Sequence, residues 1–159
     1  FCDAFSIPVL SITNVNGFKN CMCSEKKLAK ALARMTYAFS NATCAKVNMI
    51  TGEAYGSAYV FMNSKSIGAD LVYAWNDAKI GTMDSTMAAK IMYPDADAAE
   101  IKEKASEYEK LQSSATSAAA RGYVDRIIEP ADSRKYLVAA FEMLYTKYVG
   151  EPEKKHGTK

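Results

Sequence analysis

The chain has 159 residues, of which 49% are hydrophobic, and this is enough for one domain with a well-filled core. Lys and Arg total 20 against 18 Asp and Glu, so the net charge of +2 predicts neither nucleic-acid binding nor attachment to a membrane surface. No apolar run approaches the roughly 20 residues that span a bilayer, and the opening residues lack the pattern of a signal peptide.

The first 50 residues predict two strands separated by a helix. Residues 7–14 are short, aliphatic and β-branched, which indicates a buried strand. Ser24 is expected to cap a helix that continues to Asn41. Residues 47–51 indicate a second strand, ended by Gly52. The helix presents four apolar residues at helical spacing: Leu28, Leu32, Met35 and Phe39.

Small residues and tyrosines in 54–59 mark a transition from strand to helix. Residues 71–75 and 79–83 follow as short strands. Asp84 or Ser85 is expected to start a helix that Pro94 ends.

The last third predicts three helices and one strand. A charged helix starts near Asp97, a small-residue helix covers 113–121, and a strand covers 123–128. Pro130 and Asp132 open the final helix. Apolar residues form one face of the charged helix (Ile101, Ala105, Tyr108 and Leu111) and of the final helix (Leu137, Ala140, Phe141 and Leu144). Strands and helices alternating over short connections predict an α/β domain with mostly parallel pairing.

Several common catalytic arrangements are missing from the sequence. The one histidine, His156, lies in the polar tail, so neither a Ser-His-Asp nor a Cys-His arrangement is expected. Glycine-rich nucleotide-binding motifs are absent, and no pair of carboxylates stands out as an acid and base. Of four cysteines, Cys21 and Cys23 are separated by one residue, which is not zinc-site spacing. Reduced thiols in a cytoplasmic protein are the better interpretation.

The turn Gly56-Ser57-Ala58 is the strongest candidate for chemistry. Three small residues at a helix N-terminus leave backbone N–H groups uncovered, and such donors stabilise an oxyanion. The alternative is that small residues here serve only the close packing of a helix on a sheet.

The sequence around this turn resembles the carboxyltransferase subunits of propionyl-CoA carboxylase and methylmalonyl-CoA decarboxylase. The resemblance extends over nearly the whole chain, with its motifs in the family's order. The matching segments are Phe1-Cys2-Asp3-Ala4-Phe5, Ile7-Pro8-Val9, Gly17-Phe18, residues 54–59, Met62-Asn63-Ser64-Lys65, Gly68-Ala69-Asp70, Tyr73-Ala74-Trp75, Arg121-Gly122-Tyr123-Val124-Asp125, Ile128-Glu129-Pro130 and Lys155-His156-Gly157.

The resemblance implies a crotonase-like α/β fold and a particular place in a larger enzyme. Residues 1–159 match the C-terminal carboxyltransferase domain of a longer two-domain chain. The opening Phe1-Cys2-Asp3, without Met, agrees with an excised piece. In the family, the active site lies between the N-terminal half of one subunit and the C-terminal half of another. The C-terminal half receives carboxybiotin, and the N-terminal half handles the acyl-CoA.

Carried over to this chain, the resemblance implies that the backbone N–H groups of Ser57 and Ala58 hold the biotin carbonyl oxygen. Gly56, Tyr59, Val60, Gly17 and Phe18 would line the substrate and biotin site. Biotin would arrive on a separate biotin carboxyl carrier protein or domain. The other expected partners are the N-terminal carboxyltransferase half, a biotin carboxylase or membrane decarboxylase subunit, and further copies of the same chain in a homo-oligomer.

The chain departs from the family pattern at three places. Ser57 replaces the family's second Gly, and Val60 stands where the family often has Asp or Ile. The loop at 14–27 lacks the family's Pro and several glycines. Three other functions stay open: a sodium-pumping decarboxylase subunit, a crotonase-type hydratase or thioesterase, and a non-catalytic assembly module. A hydratase or thioesterase would need a carboxylate near the oxyanion hole, and none is expected at the turn.

Overall fold

A computed structural model describes residues 1–150 as an α/β unit built on a five-stranded parallel sheet. The strands are β1 Val9–Val15, β2 Lys46–Tyr55, β3 Leu71–Trp75, β4 Lys79–Gly81 and β5 Arg126–Ile128. The helices are α1 Met22–Asn41, α2 Gly56–Val60, α3 Ser85–Met92, α4 Ala98–Tyr108, α5 Ala115–Ala120 and α6 Ser133–Met143. The predicted α/β class is confirmed.

Strand β2 is the longest strand and organises the sheet. Along the order β1-β2-β3-β5, every neighbouring pair is parallel, as the sequence predicted. The first half of β2 pairs with β3, with Val47 opposite Leu71. Its second half pairs with β4, with Glu53 opposite Lys79. Residues that follow β4 therefore lie beside the carboxyl end of β2.

Side chains of β2 alternate between two apolar cores, as the period of a strand requires. Val47 and Met49 pack towards α6 with Tyr73 and Ile128. The other face of β2 contributes to a larger core under α2 and α5. That core includes Ile50, Ala54, Tyr59, Val72, Ala74, Ile80, Ala115, Ala118 and Val124.

The prediction of a buried first strand is wrong. In the order of the sheet, β1 is an edge strand, and it leaves Leu10 and Ile12 exposed at 39% and 56%. Its buried member is polar: Thr13 is fully buried and donates a hydrogen bond to Asn48 Oδ1 over 2.7 Å. Hydrophobic composition predicted the strand, but only the order of the sheet determines which of its faces is covered.

Two boundaries in the first half also differ from the prediction. Cys21, rather than Ser24, is the N-cap of α1, and Ser24 lies inside the first turn, its Oγ 3.2 Å from Cys21 Sγ. Gly52 does not end β2, which continues to Tyr55. A Cβ at Gly52 would lie 2.8 Å from Asn14 Oδ1, so this glycine permits a close approach between neighbouring strands.

The last third is confirmed in element type, with shorter elements. Helix α4 ends at Tyr108 and a π-helical turn, Glu109–Ser113, follows it, so Leu111 is exposed instead of facing inward. The small-residue helix predicted over 113–121 corresponds to the shorter α5, with Ser114 as N-cap. Strand β5 is three residues long instead of the predicted 123–128. Helix α6 buries Ala140 and packs three apolar residues on the core as predicted: Leu137, Phe141 and Leu144.

Within residues 1–150, no helix is both long and apolar enough to cross a bilayer. The predicted polar tail with His156 lies outside the described residues.

Asp125 fixes the chain where it approaches β3. Its carboxylate accepts a hydrogen bond from Val72 N over 2.8 Å and forms an ion pair with Lys65 Nζ over 2.8 Å. The Asp125 N–H in turn donates to Val72 O over 2.8 Å. One side chain therefore connects three segments that are distant in sequence.

We expect Asp125→Ala to lower the free energy of unfolding by about 1–3 kcal/mol, because it removes charge-assisted hydrogen bonds and leaves Val72 N–H without its acceptor. Urea unfolding followed by circular dichroism measures this. The matched control is Asp77→Ala, which changes an exposed turn residue and should stay within about 0.5 kcal/mol. Equal effects of the two substitutions would contradict the anchoring role of Asp125.

Candidate active site

The candidate site lies where β2 passes directly into α2. Tyr55 ends the strand and Gly56 begins the helix, with φ +59° at Gly56. A Cβ at Gly56 would lie 3.0 Å from the backbone oxygen of Thr82, the residue after β4. Both the left-handed backbone and this close approach require glycine. The predicted transition from strand to helix is therefore confirmed, with Gly56 at the turn.

The turn leaves backbone donors available at the start of α2. The first N–H groups of an α-helix have no acceptor within the helix. Within residues 1–150, Ser57 N and Ala58 N also donate to no backbone oxygen elsewhere and to no side chain, and Tyr55 provides no side-chain cap. Ser57 is exposed and Ala58 is buried at 3%. Two N–H donors at the start of α2 are thus left without an acceptor within the described residues.

A first cleft lies on one side of this turn, and we call it the Gly17 cleft. It has a volume of about 410 Å³ and brings together five of the predicted site residues: Gly17, Phe18, Gly56, Ser57 and Ala58. The loop after β1 and the start of α2 therefore meet in space, 38 residues apart in sequence for Phe18 and Gly56 (56 − 18). The Phe18 ring lies 6.4 Å from the ring of Phe61, the residue that follows α2.

The Gly17 cleft also contains carboxylates that the sequence did not predict. Glu53, near the end of β2, and Asp84, the N-cap of α3, both line it. The Asp84 carboxylate accepts hydrogen bonds from Thr86 N at 3.0 Å and Met87 N at 3.2 Å. The expectation that no carboxylate lies near the turn is wrong, because parallel pairing of β2 with β4 brings these segments together.

A second cleft, the Val60 cleft, also borders the turn. Its volume is about 490 Å³, and Gly56 and Ser57 line it together with Tyr59 and Val60. Val60 is half-buried and also packs against the larger core. The predicted site residues are thus divided between two clefts that share Gly56 and Ser57.

Tyr59 has a hydroxyl group without a partner. The side chain is 7% exposed, and its oxygen is buried and forms no hydrogen bond within the described residues. Burial, with a smaller contribution from the charge of Tyr123, raises the pKa of Tyr59 to about 12 from 10.0. The phenol is therefore protonated and neutral throughout the physiological range.

Arg121 is a further residue of the Val60 cleft that sequence reasoning assigned only to a family motif. It lies at the C-cap of α5, and its guanidinium donates to Gln112 Oε1. Periodicity gives no signal for such a residue, because an arginine after a short helix is common on protein surfaces.

The fold and the β2–α2 turn define a crotonase-like carboxyltransferase domain. Residues 1–158 match the family model described as the carboxyl transferase domain, so the chain belongs to this family. The fold is confirmed by a crystal structure of transcarboxylase 12S with methylmalonyl-coenzyme A and methylmalonic acid bound. That structure superposes with a TM-score of 0.92 at 39% identity, over 99% of this chain and 31% of the other.

Two curated relatives are each 45% identical to this chain. A putative propionyl-CoA carboxylase beta chain of Bacillus subtilis (strain 168) is 45% identical over 99% of this chain and 32% of its own length. The methylmalonyl-CoA decarboxylase subunit alpha of Propionigenium modestum is 45% identical over 98% of this chain and 32% of its own length. The chain thus spans about a third of the length of the curated relatives it matches.

We expect Tyr59→Phe to leave the free energy of unfolding at pH 7 unchanged or to raise it by about 1 kcal/mol, because it removes a buried hydroxyl without a partner. At high pH the raised pKa of Tyr59 determines how the stability of the wild type changes with pH. The folded phenol keeps its proton longer than the unfolded one, so its contribution is complete below pH 10 and is lost as the pH rises towards 12. Between pH 10 and pH 12, the free energy of unfolding of Tyr59→Phe should therefore fall less than that of the wild type.

Urea unfolding at pH 7, 10 and 11.5 measures both effects, with the exposed Tyr145→Phe as control. A large loss at pH 7 would mean that the Tyr59 hydroxyl has a partner in the folded protein.

Proposed function

We propose that this chain is the C-terminal half of a biotin-dependent carboxyltransferase that moves a carboxyl group between carboxybiotin and a short-chain acyl-CoA. The acyl pair is propionyl- and methylmalonyl-CoA, or acetyl- and malonyl-CoA. Residues 1–159 would form the C-terminal domain of a longer two-domain chain. The observation that carries the proposal is the Gly56–Ala58 turn, whose unpartnered N–H donors lie between two clefts in a member of this family.

Carboxybiotin, a substrate delivered by a separate carrier, supplies the carboxyl group and leaves a ureido oxygen with increased negative charge. Ser57 N and Ala58 N would donate hydrogen bonds to that oxygen, as preorganised donors do in an oxyanion hole. The residues of the Gly17 cleft suit a small polar ring, because Phe18 offers an apolar wall and Gly17 carries no side chain. Neither donor has to leave an intramolecular partner, which keeps the reorganisation cost low.

The acyl group would occupy the Val60 cleft. Val60, Ile80 and Ala118 give this cleft an apolar wall close to the donors at Ser57. A valine at position 60 offers space for a short aliphatic chain and no partner for a distal charged group. This supports a propionyl- or acetyl-type substrate over a longer acyl chain.

The active site would be completed by other polypeptides. The partners are the N-terminal carboxyltransferase half, a biotin carboxyl carrier protein and a biotin carboxylase, in a cytoplasmic homo-oligomer. Two surfaces of this chain support such contacts: the exposed apolar face of β1, and an apolar groove of about 770 Å³ between Pro8 and Phe141 of α6. The crystal structure of the related transcarboxylase 12S is described as a hexamer assembly.

A decarboxylase subunit is the second candidate. The Propionigenium modestum methylmalonyl-CoA decarboxylase subunit alpha is as similar as the Bacillus subtilis protein, and carboxyl transfer between an acyl-CoA and biotin is common to both directions. In that case the last partner is a membrane decarboxylase subunit. Carboxyl transfer coupled to Na⁺ movement in proteoliposomes distinguishes the two.

We expect Ser57→Pro to lower kcat/KM for carboxyl transfer by the equivalent of about 3 kcal/mol, because proline removes one oxyanion donor. Ser57→Gly keeps the N–H and should leave kcat/KM nearly unchanged. The assay uses the complete enzyme with free biotin or its carrier, and circular dichroism checks that both variants fold. An equal loss in both variants would indicate a role for the serine side chain and would overturn the backbone assignment.

Substrate choice should depend on Val60. Val60→Trp fills the cleft and should reduce kcat/KM for propionyl-CoA more than Val60→Asp does. Discrimination between acetyl- and propionyl-CoA by the wild type should be modest, since one methylene is worth only about 1–3 kcal/mol. The measurement compares acetyl-, propionyl- and butyryl-CoA for each variant. If all three substrates lose the same factor, Val60 serves the core alone.

A further inference from the structure

Arg121 gives the Val60 cleft its positive charge. It follows α5, and its backbone N–H donates to Ser117 O over 3.2 Å, so the base of the side chain is fixed by the end of that helix. At the other end, the guanidinium donates to Gln112 Oε1, from the π-helical turn before α5. The Arg121 side chain is therefore held at its backbone and at its guanidinium, and it lines the cleft.

The positive charge of Arg121 is not neutralised within the described part of the chain. None of the ion pairs formed within residues 1–150 includes Arg121, and the Gln112 amide that holds it is neutral. A guanidinium carries five N–H donors, and a single acceptor such as Gln112 Oε1 leaves others available. An arginine held by a neutral group can still bind a carboxylate with two parallel hydrogen bonds.

The two clefts have opposite charge. Among the described residues that line the Val60 cleft there is no Asp or Glu, whereas Glu53 and Asp84 line the Gly17 cleft. A carboxylate beside the Gly56–Ala58 turn is therefore favoured on the Val60 side, where Arg121 lies.

The rest of the Val60 cleft suits a short chain with one polar end. Its wall is apolar at Val60, Ile80 and Ala118. A ligand that fits this combination has a small aliphatic part and a negative charge within reach of Arg121. The acyl part of a carboxylated acyl thioester has both.

We infer that Arg121 binds the carboxylate of the carboxyacyl-CoA, and so distinguishes the carboxylated thioester from the uncarboxylated one. This inference rests on the proposed carboxyltransferase function and deepens it. It assigns the anionic end of the substrate to the Val60 cleft, with Gln112 as the residue that positions the guanidinium. Arg121 would then favour binding of methylmalonyl-CoA over propionyl-CoA.

The test is calorimetric titration of the complete enzyme with methylmalonyl-CoA and with propionyl-CoA, which differ by one carboxylate. We expect Arg121→Gln to raise the Kd for methylmalonyl-CoA by at least about tenfold, the loss typical of a hydrogen bond to a charged group. The Kd for propionyl-CoA should stay within about twofold. Arg121→Lys keeps the charge without the paired donors and should fall between wild type and Arg121→Gln.

The matched control is Arg34→Gln, which changes an exposed arginine on α1 that lines neither cleft. It should change neither Kd. An equal rise for both ligands in Arg121→Gln would mean that the guanidinium contacts a part they share, such as a CoA phosphate, and would overturn the inference. No change for either ligand would also overturn it. If Arg121→Gln has a lower Tm than the wild type, the Kd values of Arg121→Lys are compared with those of the wild type instead.

Failure of the proposed function gives a different result. In that case, wild-type enzyme transfers no carboxyl group between methylmalonyl-CoA and biotin, whatever the two Kd values are.

Discussion

The close approach of Gly56 to Thr82 is the constraint on which the rest of the candidate site depends. Strand β2 pairs with β4 along its second half, so the residue after β4 meets the residue after β2. At that point the chain turns with φ +59°, and a Cβ would lie 3.0 Å from Thr82 O. Any side chain at position 56 would both strain the backbone and separate the two strand ends. The start of α2, with its free donors, is oriented by this contact.

The same contact separates two clefts with different chemistry. The Gly17 cleft receives Glu53 from the end of β2 and Asp84 from the start of α3, so it is acidic. The Val60 cleft receives Arg121 from the end of α5 and several apolar residues from the core. A carboxylate beside the turn is therefore attracted to the Val60 side, where Arg121 lies.

The surface of the chain is also consistent with a partial site. The edge strand β1 exposes Leu10 and Ile12, and an apolar groove lies along α6. Exposed apolar surface of this extent is typical of protein contacts. The relatives that the chain matches are about three times its length. Both facts agree with the proposal that another half of the same enzyme covers this domain and completes the clefts.

Local sequence determined most elements and the family. Local patterns gave β3 to the residue and the presence and type of α1 and α6, since these patterns depend on neighbours in sequence. Small residues at 54–59 marked the β2–α2 turn for the same reason. The ordered motifs of the chain identified the carboxyltransferase family, which the family model confirms over residues 1–158. The roles of Ser57, Ala58 and Val60 stay predictions.

Only the tertiary structure decided how these pieces meet. The exposure of β1 depends on its position at the edge of the sheet, and the passage of β2 through Gly52 depends on the Asn14 side chain that lies against it. Glu53 and Asp84 lie 31 residues apart in sequence (84 − 53), yet they line one cleft, and Arg121 lies with Val60 in the other. Parallel pairing brings such distant segments together, and no local pattern in the sequence encodes which carboxylate or arginine will be next to the turn.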